Sequence, residues 1–591
     1  MPNPGRGQQA KRGTGVRGPI LLATALMIVA VLWPPELHPW SGAVCAVMAA
    51  AGLWSVAAAP GAGLGGAIRL AGFAPFALVA LRGAANRAAA IDEAALIVLL
   101  LLAALCGRSA GHDAGDREAL LRLLVVLGSV VAFQALWQTQ VTYPRLAAAV
   151  RAVDPADPSG VLVRLESGRA TGPFLLPAAF GGFLALALPA ALRGLLVWRG
   201  FWRGAAGAAA FLIVSGFVLG RSMGAILAAA AGVFVGLPLV TPRHRVRTAA
   251  ILAVAALIVA GVFAVARLQE IRDPAGDPFG LRAGNWAVAA AMLRDAPWFG
   301  TGPGSFASFY PRYREAGMNE TRHAHNSFLE AAAGWGAWIL VPIALLIVAW
   351  WRRARSAWRD PGDRTTLICV SAGTAFLVHN LVDFTAYLPG VAIPAALLIG
   401  SAFAPTGASP VRMAPPTAAG SGAGDPPPAG WPALLRASMV RASGVVLTVM
   451  LALHGVTAAR SRHDLDHADA AVESGELAGA ERSARAAAEL RPEDPAPHAF
   501  LAQMVLAEQP GDAPAHAAGR AAAAAAVARD PESAILHYTL AQFHRAAGEG
   551  GAAFRELSEA RRLNPSKLIY REAITDPPSP ALSPHTGDSG P

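Results

Sequence analysis

Apolar runs close to the roughly 17 to 25 residues that a helix needs to cross a bilayer core recur along this chain. They fall at 18–33, 40–59, 68–84, 89–107, 119–138, 173–192, 204–220, 222–240, 248–266, 327–350, 365–386, 390–404 and 437–457. Composition agrees with a chain built for lipid: 54% of the 591 residues are hydrophobic and 15% are charged, where an average soluble domain has about 25% charged residues. The expected fold class is all-α. It is a polytopic membrane protein with about 12 to 13 transmembrane helices, an extended outer-face loop and a C-terminal α-solenoid.

A formal net charge of +10 raises the question of nucleic acid, but the arginines do not form one stripe. They collect in short segments between apolar runs, such as "RGLLVWRGFWRG", "TPRHRVR" and "WWRRARSAWRDPGDR". The charge therefore reports topology: these segments are cytoplasmic by the positive-inside rule, and no nucleic-acid partner is expected. Alternating the spans from a basic cytoplasmic N-terminus (1–17) places loop 139–172, loop 267–325 and the tail after 457 on the outer face. The first run reads as a retained anchor, since no convincing small-residue cleavage site follows it. Cys45, Cys106 and Cys369 all lie in apolar runs, so no disulfide framework is expected.

Composition divides the chain further. Residues 18–404 form the membrane body, 405–434 a Pro/Gly-rich linker, 435–458 the last span, 460–575 an Ala-rich helical tail, and 576–591 a disordered end. In the tail, prolines expected to end helices stand at Pro492, Pro531 and Pro565, a spacing of the kind helical repeats show. Ala468, Gly475, Ala480, Ala487 and Leu490, and again Leu540, Ala541, Gly548, Ala553, Ala560 and Leu563, fall where a tetratricopeptide repeat wants packing or turn residues. A short solenoid with a partner-binding groove is the expectation; a plain Ala-rich bundle is the alternative.

Loop 267–325 is longer than a connection needs and is expected to hold structure or a site. The spacing predicts a short helix over 281–294 with Trp286, Ala289, Ala290 and Leu293 on one face, followed by the Gly turn "GTGPGSF". Gly302 and Gly304 in that turn are candidates for phosphate contact, although it lacks the GK[ST] of a Walker motif. "RHAHNSFLE" follows, with His323, His325 and Asn326 at the membrane surface. No HExxH or carboxylate-rich set stands nearby, so no metal ligand is assigned, and the histidines can equally be solvated. Arg221 breaks an apolar stretch and either snorkels or serves an anion site. Asp383 and His379 either pair within the bundle or take part in chemistry, and Arg169 stands just outside the sixth span. Several guanidiniums with one imidazole suit a phosphate-bearing substrate and a hydroxyl to be deprotonated.

Residues 160–400 resemble the O-antigen ligase and polymerase family, multi-spanning enzymes that join lipid-linked glycans outside the cytoplasmic membrane. The resemblance rests on "RATGPFLLPAAFGGFLAL", "GRSMGAILAAAAG", "LRAGNWAVAAAMLRDAPWFGTGPGSF", "HNSFLEAAAGWG" and "FLVHNLVDFTAYLPG". Ser222 and Ile339 depart from the family pattern, the latter at a position where ligases commonly carry Gly, Thr or Tyr. The resemblance implies a membrane glycosyltransferase without cofactor or metal, in a bacterial cytoplasmic (inner) membrane. An acceptor hydroxyl would attack the anomeric carbon of a sugar on polyprenyl diphosphate. His325 would handle the proton, and Arg221 and Arg282 would bind the diphosphate, with Arg169 a weaker candidate. The implied partners are that donor, a glycan, lipid or protein acceptor, membrane lipid, and an envelope-assembly protein held by the tail. A lipid-glycan transporter, or a tail acting as an assembly scaffold, remain the competing readings.

Overall fold

The structure, a computed structural model, describes residues 18–57, 74–153, 160–237, 278–359, 364–405, 431–508 and 513–570. Among these residues all regular structure is helical, as lipid demands of a spanning chain whose backbone N–H and C=O groups find no other partner. The N-terminal segment, the expected span 248–266, nearly all of the linker and the end of the chain lie outside the described residues, and of the expected span 68–84 only Ala74–Arg82 is described as helix.

The body comprises α1 (Gly18–Leu32), α2 (Pro39–Ala57), α3 (Ala74–Arg82), α4 (Arg87–Ala110), α5 (Ala114–Trp137), α6 (Tyr143–Val153), α7 (Val161–Glu166), α8 (Pro177–Val197), α9 (Phe201–Gly220) and α10 (Met223–Val235). After the undescribed stretch come α11 (Pro278–Asp295), α12 (Phe306–Tyr313), α13 (Ser327–Trp335), α14 (Leu340–Arg359), α15 (Arg364–His379) and α16 (Pro389–Ala402). Among the described residues, five helical stretches are long and apolar enough to cross a membrane: Arg87–Ala110, Ala114–Val153, Pro177–Val197, Phe201–Gly220 and Ala337–Arg359. Of these, α8 is the most enclosed, with 72% of its apolar window buried, and the stretch containing α14 the least, with 11%. The first is therefore the bundle's centre and the second its rim. Small residues let helices touch backbone to backbone. A Cβ on Gly107 of α4 would overlap the Leu397 carbonyl of α16, and one on Gly400 would overlap the Ala104 carbonyl in return.

Four local findings differ from the sequence expectations, each for a physical reason. Helix α5 does not end at 138 but passes through a π-helical turn, Gln138–Thr142, into α6; the widened turn sits just before Pro144, which has no N–H to continue an ordinary ladder. Helix α15 stops at His379 instead of running to 386, because Asn380 turns its amide back onto the Phe376 carbonyl (2.9 Å) while its oxygen accepts from Ala386 N (2.7 Å). Asp383 consequently lies in a loop. On α11 the buried stripe is Asn285, Val288, Ala289 and Met292, whereas Ala290 is exposed. Asn285 is held inside by the Tyr310 hydroxyl at 2.8 Å, a polar burial that an apolar pattern does not register. The last span and the first tail helix are one continuous element, α17 (Trp431–Glu473), since no Pro or Gly interrupts 456–473.

Loop residues 278–325 do hold structure: Val288, Ala289, Met292, Phe306, Tyr310 and Ala324 form a small core of their own, closed by Ala333 of α13. Beyond α17 the tail continues as α18 (Leu477–Leu490), α19 (Pro495–Glu508), α20 (Ala513–Arg529), α21 (Ala534–Ala546) and α22 (Gly550–Leu563), each packed on the one before. Pro492, Pro531 and Pro565 each follow a helix end, and Ala468, Ala480, Ala487, Ala541, Ala553 and Ala560 are buried. The tail docks on the loop and on the start of α4: Asp530 accepts from Ser308 Oγ (2.7 Å) in the loop and from Asn86 Nδ2 (3.1 Å) at the α4 cap, and Arg491 lies 2.9 Å from Asp92 of α4.

Candidate active site

Among the described residues only two that are not glycine adopt positive φ, Arg221 (48°) and His325 (54°). The left-handed region costs an ordinary L-residue about 1 to 2 kcal/mol, so the surrounding structure must enforce it. Arg221 closes α9, its N–H bonding Phe217 O at 3.0 Å. Its guanidinium donates to Ser167 O at 3.2 Å, and Arg169 Nη2 lies 3.5 Å from Arg221 O. His325 stands just before α13. Its carbonyl accepts from Trp286 Nε1 (3.2 Å), the preceding Ala324 N–H donates to Glu330 Oε2 (2.8 Å), and the following Asn326 caps the helix.

Asp383 joins the loop helix to this turn. Its carboxylate is 1% exposed, with one oxygen 3.7 Å from Arg282 Nη2 and the other 3.7 Å from His325 Nδ1. These are charge contacts longer than hydrogen bonds. Asp383 Oδ2, His325 Nδ1, Arg282 Nε and His379 Nε2 thus lie buried without a hydrogen-bond partner among the described residues. An unsatisfied buried polar group costs about 1 to 3 kcal/mol, so these four close together form a polar cluster able to take hydrogen bonds from or to a ligand. Burial pushes the Asp383 carboxyl up, but the neighbouring His325, His379 and Arg282 outweigh it and hold the group below the usual carboxylate range. It therefore presents a fixed negative charge between a guanidinium and an imidazole.

The other expected site residues divide. His323 pairs through Nδ1 with Glu330 Oε1 (2.8 Å) and stacks on Phe384, ring centroids 4.1 Å apart. Asn326 spends its side-chain oxygen on Phe328 N and Leu329 N, at 3.1 and 3.0 Å, which is N-cap work. Gly302 and Gly304 serve the turn: the Gly302 N–H bonds Gly334 O (3.0 Å) and the Gly304 N–H bonds Glu93 Oε2 (2.6 Å). A Cβ on either would press on Ala84 or Ala89. The amides a phosphate would need are thus already engaged. Arg169 and Arg221 form a second basic group; three residues on from Arg221, Gly224 packs against Val382 and His379.

Sequence reasoning passed over Glu93, Glu330 and Asn380, and took Trp286 only as a helix-face residue. Glu93 accepts from Trp335 Nε1 (2.6 Å), and Asn380 Oδ1 accepts from Ser327 Oγ (2.6 Å). A carboxylate within an apolar run such as "IDEAALIVLLLL" is the one signal that would have found any of them.

Residues 208–341 match the family model described as O-Antigen ligase. Neither a curated protein nor a solved structure matches the chain. The matched stretch contains Arg221, Arg282 and His325 and stops short of Asp383. Over that stretch this multi-helical membrane protein is similar to the O-antigen ligases, which supports a place in that family and an enzyme of ligase or polymerase type.

Proposed function

We propose that the protein is a membrane glycosyltransferase that moves glycan from a polyprenyl-diphosphate donor onto an acceptor hydroxyl at the outer face of a bacterial inner membrane. The observation that carries this reading is the buried Asp383 carboxylate between Arg282 and His325, ringed by unpartnered polar atoms. The acceptor oxygen bonds to the anomeric carbon as the bond from that carbon to the diphosphate oxygen breaks. The hydroxyl proton passes to His325, and the leaving diphosphate takes the electron pair. Arg282 and Arg221 meet its growing charge with their planar donor forks, Arg169 assists, and no metal or other cofactor is invoked. Asp383 orients both partners and offsets the imidazolium that forms. A single displacement inverts the anomeric centre. The tail, read as tetratricopeptide-like, offers a groove to an envelope-assembly protein.

The test compares carrier-linked glycan by size in cells lacking their own enzyme and expressing either wild type or His325→Ala at equal membrane levels. Long polymer left on the carrier in the variant supports ligation, and single repeats support polymerisation. A profile identical to that of an active wild type would refute the role of His325.

A further inference from the structure

His325 owes its left-handed backbone to neighbours that a catalytic role alone does not explain, and foremost among them is a buried acid. Glu330 is 6% exposed and sits in the first turn of α13, where helix polarity favours a negative charge. Its two oxygens reach back over the preceding turn. One lies 2.8 Å from His323 Nδ1, the other 2.8 Å from Ala324 N, and these two residues lead directly into His325. The helix that carries Glu330 is itself fixed, because Ser327 N–H bonds the Asn380 and Asp383 carbonyls at 3.0 and 3.2 Å. His325 is thus gripped on its N-terminal side by Glu330, at its own carbonyl by Trp286 and on its C-terminal side by the Asn326 cap.

We propose that Glu330 is a positioning residue: its grip on Ala324 holds the 323–325 turn so that the His325 ring faces Asp383. The proposal rests on the transferase reading given above. Glu330 reaches the reacting atoms only through the turn, so its acceptor oxygen matters and its charge does not. The variants Glu330→Gln and Glu330→Asp separate the two. Glutamine keeps an oxygen for Ala324 N–H without the charge, whereas aspartate keeps the charge but is one methylene short.

Both variants, with Glu330→Ala and His325→Ala, are expressed in membranes that contain the host's own carrier-linked glycan. Folded protein is quantified by fluorescence-detected gel filtration, and the initial transfer rate is measured per folded molecule. Glu330→Gln is expected to stay within about threefold of wild type, and Glu330→Asp and Glu330→Ala to fall about 10- to 100-fold, as a small misplacement of a reacting group does. An active Glu330→Asp beside an inactive Glu330→Gln would overturn the proposal, since charge would then be what counts. So would wild-type rates in both, or a Glu330→Gln as impaired as Glu330→Ala. If Glu330→Ala yields no folded protein, the Gln and Asp pair decides. A wild-type rate in His325→Ala would sink the transferase reading itself, whereas an inactive His325→Ala beside a fully active Glu330→Asp would sink only the role given to Glu330.

Discussion

Two turns in the tail and two at the site end of the membrane bundle pass through the same left-handed backbone region, yet they are made of different residues. The tail uses Gly475 (φ 78°) and Gly548 (φ 73°), each with open space where a side chain would stand. The bundle uses Arg221 and His325, with their side chains beside Ser167 and Asp383. Glycine reaches this region without a Cβ penalty, so the tail's choice is what folding alone would make. At the site the backbone carries a residue that costs more, and the side chain gained in exchange is the one suited to chemistry.

The difference yields graded expectations. His325→Gly relaxes the strained turn and removes the imidazole, so transfer should drop at least about 100-fold while the thermal midpoint in detergent holds or rises; a clear fall in midpoint would mean that the ring, not the backbone, holds the turn. Arg282→Lys keeps a positive charge but loses the planar fork, and transfer should fall about 10- to 100-fold; full activity would rule out bidentate recognition there. Asp530→Ala takes from Ser308 and Asn86 their shared buried acceptor, a loss of about 1 to 3 kcal/mol, which should appear as faster proteolysis between tail and bundle; an unchanged cleavage rate would mean that Arg491 and Asp92 suffice. Gly475→Ala should cost about 1 kcal/mol and leave transfer untouched, and lost activity would tie the tail's turns to the site.

Asp383 adds a pH signature. Its carboxyl titrates lower in the folded protein than in the unfolded chain, so the stability it brings is present above the ordinary value of about 3.9 and is lost as pH falls through the lower folded value. The midpoint difference between wild type and Asp383→Asn should shrink as pH falls below about 4. A difference that holds unchanged down to about pH 3 would show that Asp383 brings no such stabilising charge.

Much of this was readable from the residues in order. Helix α11 was expected over 281–294 and spans Pro278–Asp295, and the prolines of the tail do mark helix ends. Of the arginines and histidine grouped from charge and chemistry, the fold brings Arg282 and His325 to Asp383 and holds Arg169 and Arg221 together beside Ser167. Polar residues that turn inward were not readable. Asn285 shifts the buried face of α11 by meeting Tyr310, and Glu330 looks like an ordinary first-turn acid until the chain folds its oxygens back onto His323 and Ala324. Asn380 ends α15 early through contacts with Ser327 and Ala386. Burial of such groups is decided by partners that hydrophobic periodicity does not count.

Helix α17 is 43 residues long without interruption, a rod of about 65 Å at 1.5 Å per residue. Near its middle, Gly455 lies against Ala43 of α2, and farther along Ala468 is buried among the tail helices. With no hinge between those two points, a pull on the tail does not merely swing a tether. It works a lever whose fulcrum lies against the membrane bundle, so a load on the tail arrives there as a tilt.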